Sequence, residues 1–327
     1  MSDNIINLQY TTIKDPLPDF IYKGLEEYSK NANGYKPQPK DLVDRLAKNH
    51  NVPSEMIFLT AGADEAIQMF IHAYGTNTYA FSPTYVVYSD AKEFGNRFLM
   101  APSLVENEFS ISTKSITEAT LIFLANPNNP CGLTEKEKVL QLIKNNSHAI
   151  VVIDEAYGDF ANLSVIEEVK TNKNIAVLRS FSKGFGMAGN RIGYIIANPG
   201  VISVVKNKTT WANISYLSVG AAITALDHEE YFKKMRENIH EKRNEFLNFL
   251  KSEEFNVLPS VINAVLIHFD SIVEAKRFNK YLNDNNIVVS PGNGNSNIGL
   301  DDTFVRISIG TKEQMQIVKE LIGEYKK

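Results

Sequence analysis

One cysteine, Cys131, stands in a chain of 327 residues. A lone cysteine makes no internal disulfide and no thiolate metal cluster, so a reducing compartment, the cytoplasm, is expected. No apolar run approaches the roughly 18–20 residues of a membrane helix. The first residues, Met1-Ser-Asp-Asn4, lack a basic stretch leading into an apolar one, so no signal peptide is expected. Positive charge is not in surplus either. The formal net charge is −4, which gives no electrostatic ground for a nucleic-acid partner. No repeat of 20–50 residues and no low-complexity tract stands out. The six histidines (His50, His72, His148, His228, His240, His268) share no ligand spacing, so no metal site is expected. What remains is ordinary for a globular protein. Apolar residues make up 43% and charged residues 22%, enough to fill a core and to argue against disorder. The length fits two domains, or one large domain with a satellite.

Short apolar runs alternate with amphipathic stretches through the first two thirds. Strands are expected at Ile57–Thr60, Thr78–Phe81, Leu121–Ala125, Ala149–Ile153, Ile175–Leu178 and Ile192–Ile196. Helices are expected between them, as at Asp64–Ala73, Glu135–Lys144 and Pro199–Val205. That alternation predicts βαβ units and a mostly parallel sheet covered on both faces. After about residue 212 the texture changes. One long helical pattern covers about 217–250. Short strands follow at Phe255–Leu258, Val265–Phe269, Ile287–Val289 and Phe304–Ile309, with helices at Val273–Asn283 and from Lys312. The expected organisation is a large domain over 35–220 and a smaller α+β domain from 1–34 and 240–327.

Gly184-Phe-Gly-Met-Ala-Gly189 matches G-x-G-x-x-G. A dinucleotide fold also needs an acidic residue about 20 positions on, to hold a ribose. From Ile192 to Leu226 there is no Asp or Glu, and the motif lies late in the chain. Close wrapping of the backbone explains these glycines better.

Four segments place unusual polar residues at the carboxyl ends of expected strands, where open α/β sheets bind ligands. Thr60-Ala-Gly-Ala-Asp-Glu65 offers a close backbone approach and a helix N-terminus suited to an anion, although its acids also suit an ordinary helix start. Ala125-Asn-Pro-Asn-Asn-Pro-Cys-Gly132 is a rigid turn carrying three asparagines. Val151-Val-Ile-Asp-Glu-Ala-Tyr157 ends an apolar strand in Asp154, and a buried carboxylate is costly unless it meets a cation. Arg179-Ser-Phe-Ser-Lys-Gly-Phe-Gly-Met-Ala-Gly-Asn-Arg191 surrounds Lys183 with small and apolar residues, a setting for a Schiff-base lysine. Together these supply a reactive amine, a buried carboxylate, anion donors and hydrogen-bonding Asn and Tyr. That set matches pyridoxal 5'-phosphate, which carries an aldehyde, a pyridine nitrogen, a phenolic oxygen and a phosphate.

With Asn129-Pro-Cys-Gly, Asp154-Glu-Ala-Tyr157, Ser180-Phe-Ser-Lys183 and Phe304-Val-Arg306-Ile-Ser in order, the chain resembles the fold-type I pyridoxal-phosphate aminotransferases of class I/II. The branch it resembles most is that of histidinol-phosphate aminotransferases, and the resemblance runs from about Tyr35 to Arg306. It implies an α/β large domain with a mostly parallel seven-stranded sheet sandwiched by helices, plus a smaller α+β domain. It implies that Lys183 binds the cofactor covalently and later moves a proton. Asp154 would pair with the pyridine nitrogen, Asn129 and Tyr157 with the phenolic oxygen, and Tyr85 would stack on the ring. The backbone at Ala63 and Asp64, with Ser180, Ser182 and Arg191, would hold the phosphate. Tyr35 would reach the phosphate of a neighbouring subunit, which implies a homodimer. Arg306, helped by Asn129, would hold a substrate carboxylate.

Two places depart from that branch. No Asn-Glu-Asn-Pro stretch occurs near the N-terminus, where Leu8-Gln-Tyr-Thr-Thr-Ile-Lys14 stands. Ser290 in Val288-Val-Ser-Pro-Gly292 occupies the place of a second arginine, as in ordinary amino-acid aminotransferases. Gly292–Gly299 is either a lid or a long connector. Cys131 is not expected to act as a nucleophile, and Trp211 either lines the substrate cleft or packs. The expected reaction moves an amino group between an amino acid or amino phosphate and a 2-oxo acid, in ping-pong fashion through pyridoxamine phosphate. The alternatives are decarboxylation on the same cofactor and a cofactor-binding regulatory module.

Overall fold

The computed structural model describes residues 5–293 and 297–326. The long apolar runs become the middle of a seven-stranded sheet. Its spatial order is Ile57–Thr60, Gly193–Ala197, Ile175–Ser180, Ile150–Asp154, Leu121–Ala125, Asn77–Ser82 and Arg97–Pro102. Only Gly193–Ala197 runs against its neighbours. All of Leu121–Ala125 is buried, because helices cover both faces of the sheet and leave no solvent side for a polar residue. One apolar cluster lies on each face: Ile122, Ile153 and Val177 point into one, Phe123, Val152 and Leu178 into the other. Each such side chain contributes about 1.5–3 kcal/mol by leaving water. All six strands expected in this domain are present, shifted by at most two residues at an end. The seventh, Arg97–Pro102, lies at the sheet edge with a mixed exposure pattern, so its sequence carried too few apolar residues to mark it.

The register sets up the site. Asp154 lies opposite Ala125 on one side and Leu178 on the other. The parallel strands therefore end together, and the loops after Thr60, Ser82, Ala125, Asp154 and Ser180 open on one edge.

A second, four-stranded sheet has the order Asn256–Val257, Ala264–His268, Phe304–Ser308 and Ser290–Pro291. Helices Ile272–Asp284 and Lys312–Tyr325 add Phe278, Leu282, Val318 and Ile322 to its core.

The expected division of the chain needs two corrections. Residues 1–34 do not go as one piece to the small domain. Ile6–Asn7 pairs with Ile287–Val288, and Leu8 is buried in the small core. Helix Asp19–Ser29 instead packs on helix Tyr216–Asp227, and its Ile21 joins the large core. The expected helix at 217–250 is also two helices, Tyr216–Asp227 and Glu229–Ser252. At the break His228 leaves helical geometry and stacks on Phe20, ring centroids 4.0 Å apart. The second helix serves both cores, placing Phe232 in the large one and Phe246 and Leu250 in the small one.

Candidate active site

A cavity of about 460 Å³ opens where the parallel strands end, between the large sheet and the N-terminal segment. That is within the roughly 300–1,000 Å³ typical of small-molecule sites. Every residue expected from sequence to form the site lines this cavity except Tyr35: Ala63, Asp64, Tyr85, Asn129, Asp154, Tyr157, Ser180, Ser182, Lys183, Arg191 and Arg306. Tyr10, Thr11, Thr12 and Tyr88 line it too, and none of them was singled out in the sequence.

Asp154 closes the floor. Its carboxylate accepts from the Tyr88 hydroxyl at 2.7 Å and from the Ala156 backbone N–H at 2.9 Å. Burial pushes its pKa above the ordinary carboxylate range, and those two bonds pull it back. Among the described residues, no basic side chain lies within ion-pair distance of it. A buried carboxylate in that state is suited to a cationic ring nitrogen. Tyr88 is itself fully buried and stacks on Phe123 at 4.7 Å, which fixes its hydroxyl.

Lys183 faces Asp154 from the loop after Ile175–Ser180. Its Nζ donates to the Thr11 hydroxyl at 2.8 Å and the Thr11 carbonyl at 3.2 Å, and lies 5.2 Å from the centre of the Tyr157 ring. The Tyr157 hydroxyl lies 2.6 Å from Thr11 Oγ1 and accepts from Asn129 Nδ2 at 2.9 Å. Asn129 Oδ1 in turn accepts from Arg306 at 3.0 Å. Arg306 also donates to the Gln9 carbonyl at 2.7 Å and to Asn297 Oδ1. A continuous hydrogen-bonded chain thus joins Arg306 to Lys183. Asn297 belongs to the Gly292–Gly299 loop and pairs with Tyr85 across a two-residue ladder. Residues 294–296 of that loop lie outside the described residues.

At the other end, helix Gly62–Tyr74 points its N-terminus into the cavity beside Ser180 and Ser182. Glu65 Oε2 accepts from the Ala61 N–H at 2.6 Å, so Glu65 belongs to the ordinary helix start. Gly62 sits at φ +81°, and a Cβ there would strike the Arg191 guanidinium. Arg191 donates to Asp64 Oδ2 at 3.0 Å, and the Tyr85 hydroxyl donates to Asp64 Oδ1 at 2.9 Å. Asp64 therefore holds both side chains together at the lip of the cup.

Lys14 lies close by on the N-terminal segment, donating to the Tyr10 carbonyl at 3.1 Å and Thr12 Oγ1 at 2.8 Å. Burial and the charge of Lys183 hold its ammonium below the ordinary lysine range. Cys131 is buried, its thiol pushed up to about 12 by burial, and it takes no part in the cavity. Trp211 neither lines the cavity nor packs inside: it is 69% exposed, beside the 80% exposed Tyr35 at 5.6 Å between ring centroids. Of the glycines after Lys183, Gly184 abuts the Asp159 carboxylate and Gly186 has φ +67°, whereas Gly189 borders open space.

The set of donors fits one cofactor. A buried carboxylate, an amine, a phenol with an amide, and a helix N-terminus with two serines and an arginine match the ring nitrogen, aldehyde, phenolic oxygen and phosphate of pyridoxal 5'-phosphate. These features define a pyridoxal-phosphate enzyme of fold type I.

The comparisons agree with that class. Residues 4–322 match the family Aminotransferase class I and II. The histidinol-phosphate aminotransferase of Methanocaldococcus jannaschii is 31% identical over 322 residues, covering 94% of this chain and 86% of that one. The crystal structure of the histidinol-phosphate aminotransferase from Clostridium acetobutylicum superposes with a TM-score of 0.89 at 25% identity, over 98% of this chain and 99% of that one. L-threonine-O-3-phosphate decarboxylase from Porphyromonas gingivalis superposes at 0.85 and 25% identity, over 98% and 99%. The chain belongs to the class I and II aminotransferase family and is a pyridoxal-phosphate-dependent aminotransferase. Among the described residues, no helix is long and apolar enough to cross a membrane, and no group of three or more His, Cys, Asp or Glu is placed to hold a metal ion.

Proposed function

We propose that the amino donor is an amino acid or an amino phosphate, histidinol phosphate among them, and that the acceptor is a 2-oxo acid. The observation that carries this is the convergence of the Lys183 amine, the Asp154 carboxylate and the Arg306 guanidinium on one cavity. When bound, pyridoxal phosphate supplies an aldehyde carbon for an amino group to attack and a ring that takes up the electron pair left at the substrate's α-carbon. Asp154 would hold a proton on the ring nitrogen, which makes that uptake favourable. Asn129 and Tyr157 would fix the phenolic oxygen, and Tyr85 would cover the ring from the side of the Thr84–Tyr85 strand. The N–H groups at Ala63 and Asp64, with Ser180, Ser182 and Arg191, would bind the phosphate. Arg306, steadied by Asn129, would hold the substrate's acidic group by two parallel bonds. Lys183 Nζ, once displaced by the substrate amine, would take the α-proton and deliver it across the intervening nitrogen to the carbon that carried the aldehyde.

We also infer a homodimer in the cytoplasm. Two large aromatics, Tyr35 and Trp211, stand side by side and mostly exposed, as at a contact surface. From there Tyr35 would reach a partner's phosphate. Light scattering at working concentration should give twice the chain mass, and a monomer mass would refute this arrangement.

The function is tested by a screen of donors and acceptors with purified protein, including glutamate, aromatic amino acids, histidinol phosphate and small amino phosphates. Conversion of the bound cofactor to pyridoxamine phosphate on adding donor alone is expected. Release of carbon dioxide without that conversion would make the enzyme a decarboxylase, like its Porphyromonas gingivalis neighbour.

A further inference from the structure

The lysine amine is held by a residue 172 positions away in the chain. Thr11 is 5% exposed and lies in the irregular stretch after Ile6–Asn7. That stretch is anchored on the small domain. The Leu8 N–H donates to the Val288 carbonyl at 2.7 Å, Ser308 N–H donates to the Leu8 carbonyl at 3.0 Å, and Asn263 Nδ2 donates to the Thr11 carbonyl at 3.1 Å. Thr11 Oγ1 is thereby fixed between two groups, Lys183 Nζ at 2.8 Å and the Tyr157 hydroxyl at 2.6 Å.

A hydroxyl has one hydrogen to give and two lone pairs, an ammonium can only give, and a neutral amine can also accept. When Nζ is protonated, Thr11 Oγ1 accepts from it and turns its own hydrogen to the Tyr157 oxygen. When Nζ is neutral, the Tyr157 hydroxyl donates to Oγ1, and Oγ1 turns its hydrogen to the Nζ lone pair, the second hydrogen of Asn129 Nδ2 being left to hold the cofactor's phenolic oxygen in that state. Thr11 thus has a bond to offer in both states. The Thr11 carbonyl, which only accepts, does not.

We propose that Thr11 is a catalytic residue that holds the released Lys183 amine in both its protonation states, the Thr11–Tyr157 hydroxyl pair reversing direction as Nζ gains and loses the substrate proton. One proton moves, from the substrate's α-carbon to Nζ and on to the accepting carbon. The two hydroxyls rotate and lose nothing. The proposal rests on Lys183 being the cofactor-bearing lysine.

The test uses two cofactor forms on apoenzyme, titrated by absorbance and fluorescence. Pyridoxal phosphate consumes the amine, so its attachment gives up the Thr11 contact. Pyridoxamine phosphate leaves the amine where it is. In Thr11→Val the pyridoxal phosphate Kd should fall about two- to tenfold, the scale of one hydrogen bond, while the pyridoxamine phosphate Kd stays within about twofold. Thr11→Ser should restore both. In a Lys183→Ala background the difference between the two forms should vanish. In steady state, Thr11→Val should lower kcat about 10- to 100-fold, part of a general-base contribution, with KM little changed. Both affinities moving together, or no rescue by serine, would leave Thr11 a packing residue and overturn the proposal. Borohydride-reducible attachment of pyridoxal phosphate surviving in Lys183→Ala would instead overturn the reading of Lys183.

Discussion

Arg179 is the perturbation whose cost follows most directly from the geometry. It leaves the strand that ends in Ser180, on the face away from the cavity. Its Nη1 donates to Glu155 Oε2 at 3.1 Å, and its Nη2 donates to Asp159. The side chains are 12%, 1% and 13% exposed, so this is a buried ion cluster. Burial works against the guanidinium's charge, and Asp159, Tyr194 and Glu155 more than offset it. Burial also pushes the Glu155 carboxyl up, opposed by Arg179, the Val165 N–H and the Ser164 hydroxyl. Arg179→Leu leaves Glu155 buried without its cation. Removing one partner of a buried pair costs about 3–5 kcal/mol, a large share of the 5–15 kcal/mol that holds a typical domain folded. Arg179→Leu with Glu155→Leu should recover about half of that or more, because the stranded charge goes too.

The loss should depend on pH in one direction. The folded-state pKa of Glu155 lies above its unfolded value, so its contribution is fully present below the unfolded value and is lost as pH rises through the folded one. Without Arg179 the folded value rises further. The destabilisation of Arg179→Leu should therefore be largest near neutrality and shrink as pH falls toward the ordinary glutamate range, about 4.3. Urea unfolding of apoenzyme followed by circular dichroism at pH 8 and pH 5 reads this directly, and Trp211 is too exposed to serve as a core reporter. An equal loss at both pH values, or a double variant no better than the single one, would refute the reasoning.

Four further outcomes are expected. Asp154→Asn should cut kcat about 100- to 1,000-fold, as for loss of one preorganised charge, while cofactor still attaches to Lys183. Tyr88→Phe, which removes a bond that favours the Asp154 carboxylate, should shift the acid limb of the kcat/KM profile to higher pH; an unmoved limb would separate Tyr88 from the site. Arg306→Lys should raise KM for carboxylate substrates about 10- to 100-fold, because an ammonium cannot form the two parallel bonds, and an unchanged KM would place the acid elsewhere. Gly184→Ala would drive a Cβ into the Asp159 carboxylate, with a loss of about 1–3 kcal/mol visible as a lower Tm; wild-type stability would show that Asp159 is free to swing aside.

The strands of the large sheet other than Arg97–Pro102 were legible because burial on both faces leaves unbroken apolar runs, and the polar clusters after them had no other use for so many hydrogen-bonding groups. Lys183, Asp154, Asn129 and Arg306 belong to that legible set. Thr11, Tyr88 and Asn297 were not legible, because each gains its role from a contact across the fold. Thr11 meets Lys183 over 172 positions, and Asn297 meets Asn129 over 168. In the sequence a threonine in a polar stretch, or a third tyrosine after Tyr79 and Tyr85, looks like any other. The same reason hid helix Asp19–Ser29. Its apolar face shows that it packs, but only helix Tyr216–Asp227, with Gly220 admitting Tyr28, decides on which domain.

The two most telling acidic neighbours in the chain, Asp154 and Glu155, show how the site is braced from behind. Adjacent residues at a strand end point to opposite faces. Asp154 faces the cavity, and Glu155 faces the ion cluster behind it. On the adjoining strand the same alternation sends Ser180 to the cavity and Arg179 to the cluster. The bridge from Arg179 to Glu155 and Asp159 therefore ties the turn carrying Asp154 and Tyr157 to the loop carrying Ser180, Ser182 and Lys183, from the side the substrate never touches. Misplacing such a pair by an ångström can cost about a hundredfold in rate. Activity lost in Arg179→Leu should accordingly return with Arg179→Lys only in part, since one ammonium cannot reach both carboxylates in the fork geometry of a guanidinium.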